Sequence, residues 1–491
     1  MKLNRLILGT IIGAQFAFSA FAADDATTNS TEAGEIEDLK QEVQKLERKV
    51  LDLENQHQAA QQATANSDSG QIQDLDQKVR ILERQREIDQ DAAATTAKTQ
   101  PKIVLGANGF GFSSADSNFV ATIHGLVQLD SRSFSTDGKI LGNDGFILRR
   151  ARPILSGTVF HDFDYQFTPD FGGSTVQIQD AYLNYHYDSE LQLEAGKFKS
   201  PVGLEQLQSD PATSFNERSL ATDLVPNRDL GVELHGDLFS GALSYAAGIF
   251  DGSPDYNGTT TNADYDNNTA FEGRIFAQPW KNSSLAALQG LGFGLGGSYE
   301  VDRAATNTLT GLTPGYTTDG QQKFFTYGSG VFANGTHWRI SPQAYYYYGP
   351  LSLLGEYVVS DQSVTKGAVT ADLQNTAWEI SAGWVLTGEA ASYAGITPLH
   401  PFDLRKNQWG AWQVVGRYSD LDVDKNAFPT FASLSTSASA AHEWAAGINW
   451  YLNKNVRVNA SFSHTQFVDG KTGLVTAQPE NVLFTRLQLA F

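Results

Sequence analysis

The sequence has no cysteine and a single methionine among its 491 residues. The absence of cysteine excludes disulfide bonds, thiol catalysis and thiolate metal sites. Positive charge is also scarce, since 35 Lys and Arg residues stand against 55 Asp and Glu residues, for a formal net charge of −20. A nucleic-acid partner is therefore not expected, because binding a phosphate backbone requires clustered basic side chains. Net charge does not report the sign of an enclosed channel, so anion transport stays open.

Long apolar runs are missing beyond the N-terminus. Lys2 and Arg5 precede an apolar stretch at 6–18, and Ala20-Phe21-Ala22 follows with the small residues of a cleavage site. This order predicts a signal peptide over residues 1–22, with a membrane anchor as the alternative. No later run reaches the roughly 18–20 apolar residues that a membrane helix needs. An exported chain of this kind is periplasmic, extracellular or an outer-membrane barrel.

Sequence signatures of catalysis and metal binding are incomplete. No G-x-S-x-G elbow occurs, and the Gly470-Lys471-Thr472 triplet has Thr465 where a phosphate loop needs glycine. His442-Glu443 begins like a zinc-binding H-E-x-x-H motif, but Ala446 stands where the second histidine is needed. The segment from Asp264 begins like a calcium-binding loop, but Thr269 stands where glycine is needed. We therefore expect no enzyme activity, no cofactor and no metal site.

Two segments before residue 100 have heptad spacing. Apolar residues recur at intervals of three and four, at Ile36, Leu39, Val43, Leu46, Val50 and Leu53, and again at Ile72, Leu75, Val79 and Leu82. This pattern predicts a coiled coil, interrupted by the Ala-, Gln- and Ser-rich tract at 59–71. We interpret residues 23–100 as a periplasmic stalk that ends in a linker at 91–100. A single amphipathic helix lying on the next domain is the alternative.

From about residue 119 onward the apolar period changes to two, and turn residues separate the runs. We place sixteen strands, centred on 119–131, 146–158, 163–171, 176–187, 191–199, 229–236, 242–250, 270–280, 291–301, 335–348, 350–360, 374–386, 408–419, 441–452, 455–466 and 481–491. Closed outer-membrane barrels have an even number of antiparallel strands. The predicted fold class is all-β: a 16-stranded antiparallel transmembrane β-barrel at 101–491, preceded by the α-helical coiled-coil segment.

The connections alternate between long and short, as expected when one end of a barrel faces outward. The long set is 133–144, 200–228, 251–269, 302–334, 361–373, 420–440 and 467–480. The segment 388–407 is long although it belongs to the short set, and the sequence offers no reason for this. The loop at 200–228 carries apolar residues such as Leu204, Phe215 and Leu220, so we expect it to fold into the lumen and narrow it.

The alternation of apolar and polar residues along the strands predicts that several arginines point into the lumen. Arg150 and Arg152 alternate with lipid-facing apolar residues, and the same test applies to Arg274, Arg339, Arg417, Arg457 and Arg486. Guanidinium groups keep their charge and match phosphate oxygens with a planar set of donors. Acids of the same parity also occur, at Asp180, Glu272, Glu300, Glu379 and Glu443. Anion passage is the leading hypothesis, and a general or weakly cation-preferring pore is the alternative.

Several runs of the sequence resemble the phosphate-selective porins of the O and P type. They lie at 149–152, 179–182, 196–205, 217–219, 231–237, 412–423 and 447–456, in order along the barrel. The resemblance implies a trimeric outer-membrane channel with an arginine ladder and a phosphate-binding eyelet on the third loop. It implies that Arg149 and Arg150 belong to the ladder, and that the eyelet is formed by Asp180, Lys197, Lys199, Ser209 and Arg218.

The sequence departs from this family at the eyelet. Phosphate-specific members have two serines eight and nine residues before the loop arginine, and a lysine three residues further back. Here these positions are Asp210, Ser209 and Gln206. A carboxylate in place of a hydroxyl should weaken anion binding by repulsion. Strand parity also favours Arg150 over Arg149 as the inward residue.

The sequence thus predicts passive diffusion of phosphate or polyphosphate across a Gram-negative outer membrane, without covalent chemistry. The expected partners are outer-membrane lipid, small inorganic anions, further copies of the chain in a homotrimer, and a periplasmic partner of the stalk. Outside the channel class, the alternative is a structural barrel whose stalk binds a periplasmic partner.

Overall fold

The computed structural model describes residues 32–63, 69–106, 109–135, 142–173, 175–255, 268–303, 313, 315–472, 475–476 and 478–491. The predicted signal peptide at 1–22 lies outside the described residues. The chain forms two compact units, one of residues 1–106 with 114–116 and one of residues 107–113 with 117–491.

The first unit is mainly helical, with α1 at Glu32–Ala63, α2 at Ser69–Thr99 and a short strand at Lys102–Gly106. The tract predicted as a linker at 91–100 is helical as far as Thr99, and its role as a linker stays a prediction. That tract contains no glycine or proline before Pro101, and its alanines favour helix. Val43 and Val50 of the predicted heptad seam are 43% and 51% exposed in the single chain. Oligomerisation through the seam stays a prediction. Among the described helices, none combines the length and apolarity needed to cross a membrane.

The second unit is a closed barrel of sixteen antiparallel strands, which confirms the predicted fold class. The strands are β1 Phe119–Phe134, β2 Gly145–Val159, β3 Phe163–Asp170, β4 Gln177–His186, β5 Gln192–Lys199, β6 Arg228–Leu238, β7 Leu243–Phe250, β8 Ala270–Ala277, β9 Leu291–Asp302, β10 Val331–Tyr348, β11 Leu351–Lys366, β12 Val369–Val385, β13 Ala411–Asp422, β14 Ala440–Tyr451, β15 Val456–Val468 and β16 Glu480–Ala490. Each strand pairs with the next, and β16 pairs with β1 through a ladder that includes Leu487 opposite Leu129.

Smaller elements accompany the barrel. A strand at Gly109–Ser113 pairs with β1, and two small hairpins join Tyr316–Thr317 to Lys323–Phe325 and Lys471–Thr472 to Val475–Thr476. One helical turn, α3, lies at Leu204–Leu207, and 3₁₀ turns lie at Leu220–Leu224, Leu404–Lys406 and Lys425–Ala427.

The two faces of the barrel wall differ in polarity. On β16, Leu483 and Leu487 are 49% and 51% exposed on the outer face, whereas Arg486 and Gln488 on the inner face are buried. An apolar exterior around a polar interior is the pattern of a barrel that lies in a bilayer. The strands therefore divide their residues between lipid and lumen as the period of two predicts.

One predicted long connection is absent. Residues 361–373 were expected to form a loop, but β11 runs to Lys366 and β12 begins at Val369, with a tight turn at Gly367 between them. Gly367 has a φ of +61°, which favours glycine. The polar residues of this segment continue the pairing of β11 with β12, so a change in polarity here does not mark the end of a strand.

Three loops fold over or into the lumen. The inner loop, residues 200–227, packs Leu220 and Leu224 against an apolar cluster that includes Tyr316, Phe325 and Leu421. Tyr316 and Phe325 belong to the distal loop, residues 315–330. The wall residues of this cluster belong mainly to β11, β12, β13 and β14, so the inner loop packs against that side of the barrel.

The proximal loop, residues 386–410, approaches the inner loop from the end of the barrel at which β1 begins and β16 ends. This end is called the end that carries the termini. The Tyr393 hydroxyl donates to the Leu204 carbonyl at 2.6 Å, and the Gln208 amide donates to the Tyr393 carbonyl at 2.9 Å. The unexplained length of 388–407 thus has a structural reason, since this loop packs beneath the inner loop.

Candidate functional site

The inner loop is shaped by carboxylates that accept its own backbone N–H groups. Glu205 accepts from the Ser219 amide and hydroxyl, both at 2.8 Å. Glu356 of β11 accepts from the Leu204 amide at 2.8 Å and the Glu205 amide at 3.1 Å. Buried backbone donors need partners of this kind, because leaving them unpaired away from water is costly. The loop is therefore tied to itself and to the barrel wall.

Asp210 of the inner loop is the centre of an arginine cluster. It accepts from Arg152, ion-pairs with Arg150 at 3.4 Å, and ion-pairs with Arg218 at 2.8 Å. Arg152 also donates to Asp170 at 2.6 Å. Burial alone would raise the pKa of Asp210, but the three guanidinium groups outweigh it and hold this pKa well below its usual range. Asp210 is therefore an anion held among cations.

A β-bulge brings both Arg149 and Arg150 to the interior. Arg150 pairs with Gln128 and Leu148 pairs with Leu129, so Arg149 is the extra residue between them. Bulges re-aim side chains in this way. Arg149 donates to both carboxylate oxygens of Glu217, at 2.6 and 2.9 Å. The parity rule, which favoured Arg150 alone, was incomplete because it assumed an unbroken strand.

Glu217 is a second carboxylate of the inner loop surrounded by arginines. Besides Arg149, it ion-pairs with Arg132 at 3.5 Å and Arg486 at 3.7 Å. Arg486 makes two further hydrogen bonds to Asp130, at 2.6 and 2.7 Å. Burial acts to raise the pKa of Glu217, but attraction to Arg149 and its neighbours outweighs it, so this pKa is below the usual range.

The remaining predicted ladder arginines are held by the protein itself. Arg339 ion-pairs with Asp255 at 2.6 Å, and Arg417 ion-pairs with Asp319 at 2.6 Å. Arg457 donates to the carbonyl of Thr213 at 2.7 Å. The two ion pairs offset charge that an unpaired ladder would offer to passing ions, whereas Arg457 donates to the uncharged Thr213 carbonyl and Gln488 side chain.

Arg274 has a different environment. Its guanidinium donates to Gln343 at 2.8 Å and lies 4.4 Å from the centre of the Phe276 ring. Neither partner carries a charge, and the residue is half-buried. Arg274 therefore keeps a positive charge accessible to the lumen.

The predicted eyelet residues separate into two groups. Lys199 and Arg218 both donate to the carbonyl of Gln208, each at 2.8 Å, beside the Asp210 cluster. Asp180 instead pairs with Arg228 at 2.8 Å. Lys197 is buried, and its nearest charges are Arg228, Asp180 and Asp229. Ser209 is exposed. The carboxylates that pair with Arg149 and Arg150 are thus Glu217 and Asp210, whereas Asp180 lies with Arg228.

An open cleft of about 180 Å³ begins at the inner loop. Lys199 and Arg274 line it together with Glu233 and His235. It extends along β6 to Asp237, towards the end of the barrel that carries the termini. The cleft therefore runs from the inner loop, at Pro201 and Leu207, towards that mouth.

Some carboxylates in the lumen form no ion pair within 4 Å among the described residues. One oxygen each of Glu233 and Glu272, and both oxygens of Glu379, accept no hydrogen bond from the described residues. They lie on β6, β8 and β12, away from the arginine clusters on β1, β2 and β16. Both signs of charge therefore line the interior, and these three acids lie outside the clusters centred on Asp210 and Glu217.

Sequence reasoning missed four residues of these clusters: Arg132, Glu205, Glu217 and Arg228. Arg132 has the inward parity of Asp130, but the strand was ended one residue too early to include it. Glu217 was visible only as part of a family motif. No periodicity applies inside an irregular loop, so only the fold could show which wall residues it meets.

A closed sixteen-stranded barrel with an apolar exterior and an infolded loop is the architecture of an outer-membrane porin. Residues 122–491 match the family described as "Phosphate-selective porin O and P", and the chain belongs to this family. Porin O of Pseudomonas aeruginosa is 23% identical over 432 residues, covering 82% of this chain and 95% of that protein. The outer membrane channel DcaP of Acinetobacter baumannii has a similar fold, with a TM-score of 0.51 at 12% identity, covering 78% of this chain and 99% of that one. The protein is located in the Gram-negative outer membrane.

Proposed function

We propose that the protein lets small anions, with phosphate or polyphosphate as the preferred class, diffuse passively across the outer membrane. The passage is lined by arginine and narrowed by the inner loop. One observation supports this: the clusters centred on Asp210 and Glu217 of the inner loop contain six arginines and four carboxylates. The arginines are Arg132, Arg149, Arg150, Arg152, Arg218 and Arg486, and the carboxylates are Asp130, Asp170, Asp210 and Glu217.

The mechanism is electrostatic and involves no covalent step. Arginines in excess over carboxylates raise the local concentration of anions, and low-dielectric walls strengthen this field. Lys199 and Arg274 line the cleft below the cluster, so an anion that leaves the neck meets further positive charge. Passage needs sites that bind weakly enough to release the ion. The internal carboxylates weaken the binding of a permeating anion, because they compete with it for the guanidinium donors.

A general or weakly cation-preferring pore is the second candidate. It is favoured by Glu233, Glu272 and Glu379, each of which has at least one carboxylate oxygen without a hydrogen-bond partner among the described residues. Asp210, which stands where phosphate-specific members have serine, favours it too. The third reading, a structural barrel whose stalk binds a periplasmic partner, predicts no ion conductance. We propose a homotrimer on the family resemblance.

The reversal potential in a salt gradient across a planar bilayer tests the proposal. Wild-type protein should give a potential of the sign that anion permeation produces. Arg218→Ala should reduce the anion preference, and the matched Arg218→Lys variant should retain more of it because the charge remains. A cation-selective wild-type potential would reject anion passage and favour the second candidate.

Phosphate preference has a separate test. Phosphate added at millimolar concentration should reduce the chloride current through single channels if the neck binds it. An unchanged current would leave anion passage in place but remove phosphate as its preferred substrate.

A further inference from the structure

The turn between β2 and β3 carries two histidines and an aspartate that the channel does not use. His161 and Asp162 lie in the three-residue turn that Val159 and Phe163 close, and His186 ends β4. One ligand atom from each of the three residues lies within 4.8 Å of the other two. We propose that His161, Asp162 and His186 form a binding site for a late first-row transition-metal ion, Zn²⁺ or Cu²⁺.

The turn is held in the shape that brings the ligands together. Phe160 and His161 have φ angles of +50° and +69°, a left-handed conformation that glycine or asparagine would normally supply. The His161 amide donates to the Asn118 carbonyl at 3.1 Å, and the His186 amide donates to the Asp162 carbonyl at 2.9 Å. The turn conformation and these two hydrogen bonds fix the backbone that carries His161, Asp162 and His186.

The distances are close to those of a metal site. The His161 and His186 rings have centroids 6.4 Å apart. Two imidazoles bound to one tetrahedral Zn²⁺ have centroids about 5 Å apart, given Zn–N bonds of about 2.0–2.1 Å. The side chains of His161 and Asp162 are 72% and 48% exposed, so packing does not prevent them from turning towards a shared ion.

A carboxylate behind His186 orients it as a ligand. Asp164 accepts from Nδ1 of His186 at 2.7 Å and from the Thr158 hydroxyl at 2.7 Å. This leaves Nε2 of His186 as the atom available to a metal. Metal-binding histidines usually donate their other N–H to a carboxylate in this way. Asp164 is thus a positioning residue for the site.

The donor set selects the kind of ion. Two imidazoles and one carboxylate suit Zn²⁺ and Cu²⁺, whereas Ca²⁺ and Mg²⁺ prefer all-oxygen sites. Three protein ligands leave one position of a tetrahedral ion open. Asp164 pairs with the buried Asn184, and His186 is two residues from Asn184 on the same strand, so both face the lumen. The site therefore lies at the inner edge of the barrel opening that carries the termini. The usual zinc motifs miss it, because pairing of β3 with β4 supplies the third ligand.

Zinc titration of the untagged full-length protein in detergent, followed by calorimetry, tests the site. Wild type should bind one Zn²⁺ per chain with an affinity that His161→Ala and His186→Ala each weaken at least tenfold. Asp164→Asn should weaken binding by about 10–100-fold, as expected for a positioning residue. His400→Ala is the matched control: it removes an exposed histidine of the proximal loop and should leave binding unchanged.

Gel electrophoresis of heated and unheated samples shows whether each variant is folded, because a folded barrel and the heat-unfolded chain migrate differently. Electron paramagnetic resonance of bound Cu²⁺ should show two nitrogen ligands in wild type and in His400→Ala, and fewer in His161→Ala. Equal zinc affinity of wild type and the His161→Ala/His186→Ala double variant would overturn the proposal. Because this readout is metal binding, its failure leaves the proposed anion passage untouched.

Discussion

Asp210 is a side chain that occupies the position in the arginine cluster where a permeating oxyanion would be held. It interacts with Arg150, Arg152 and Arg218 and leaves little donor capacity for a ligand. The Asp210→Asn variant keeps the shape and removes the charge. Phosphate should then block chloride current at a concentration roughly tenfold lower, which corresponds to about 1.4 kcal/mol.

The control for Asp210→Asn is Asp255→Asn. Asp255 is also buried and pairs with an arginine, Arg339, outside the proposed neck. It should not change phosphate block. An Asp210→Asn channel blocked no better than wild type would show that this carboxylate does not compete with phosphate.

Asp223 is a residue of the inner loop whose charge destabilises the fold. One oxygen accepts from the Thr317 amide at 2.8 Å, and the other has no hydrogen-bond partner among the described residues. Burial, with a smaller contribution from the charges of Asp255 and Glu443, raises the pKa of Asp223 well above its usual value. A raised folded-state pKa means that stability falls as pH increases from the unfolded pKa of about 3.9 towards the folded value.

The Asp223→Asn variant should therefore be more stable than wild type at neutral pH, by about 1–3 kcal/mol. At pH 4 the two proteins should differ little, since Asp223 is then protonated in the folded state. The measurement is the temperature at which the folded form is lost, at pH 4 and at pH 7.5. The exposed Asp237→Asn substitution is the control, and an equal effect at both pH values would contradict the argument.

Among the elements, the proximal loop has the clearest mechanical role. Its Tyr393 is half-buried, stacks on Tyr345 at 5.4 Å and donates a hydrogen bond to the inner loop at Leu204. The loop therefore supports the inner loop from the end that carries the termini. Two packed loops in one lumen make a narrower passage than either alone.

The Tyr393→Phe variant should loosen this support by about 1 kcal/mol, the usual net contribution of one hydrogen bond. Tyr393→Ala should do more and raise the single-channel conductance, because it also removes the aromatic contact. Tyr348→Phe, at an exposed tyrosine of β10, is the matched control. A conductance unaffected by Tyr393→Ala would mean that the proximal loop does not border the ion path.

At the scale of the whole molecule, each of the sixteen strands pairs with the next, and β16 closes the barrel by pairing with β1. Removal of residues 23–100, with the predicted signal peptide kept, should leave a barrel that inserts and conducts. Its reversal potential should match that of the full chain, since every arginine of the proposed path is retained. A changed potential would assign part of the ion path to the stalk.

Much of the barrel could be predicted from the sequence, and the errors have local causes. All sixteen strands were placed because a wall between lipid and a polar lumen imposes a period of two on every strand. The loop expected at 361–373 was wrong, because a polar strand beyond the apolar band looks like a loop. Strand alternation predicted that Arg150 rather than Arg149 faces inward, but a single bulge residue interrupts the alternation at this point.

The sequence by itself determined the architecture: the strand number, the membrane-facing side of each strand, the helical segment and the family follow from local patterns. Only the tertiary structure decided which charges meet. Asp210 and Glu217 come together with arginines of β1, β2 and β16, and His161 comes together with His186. Such meetings depend on how an irregular loop folds and on which strands lie side by side. Alternation along the chain records the face of a residue but not its partner across the lumen.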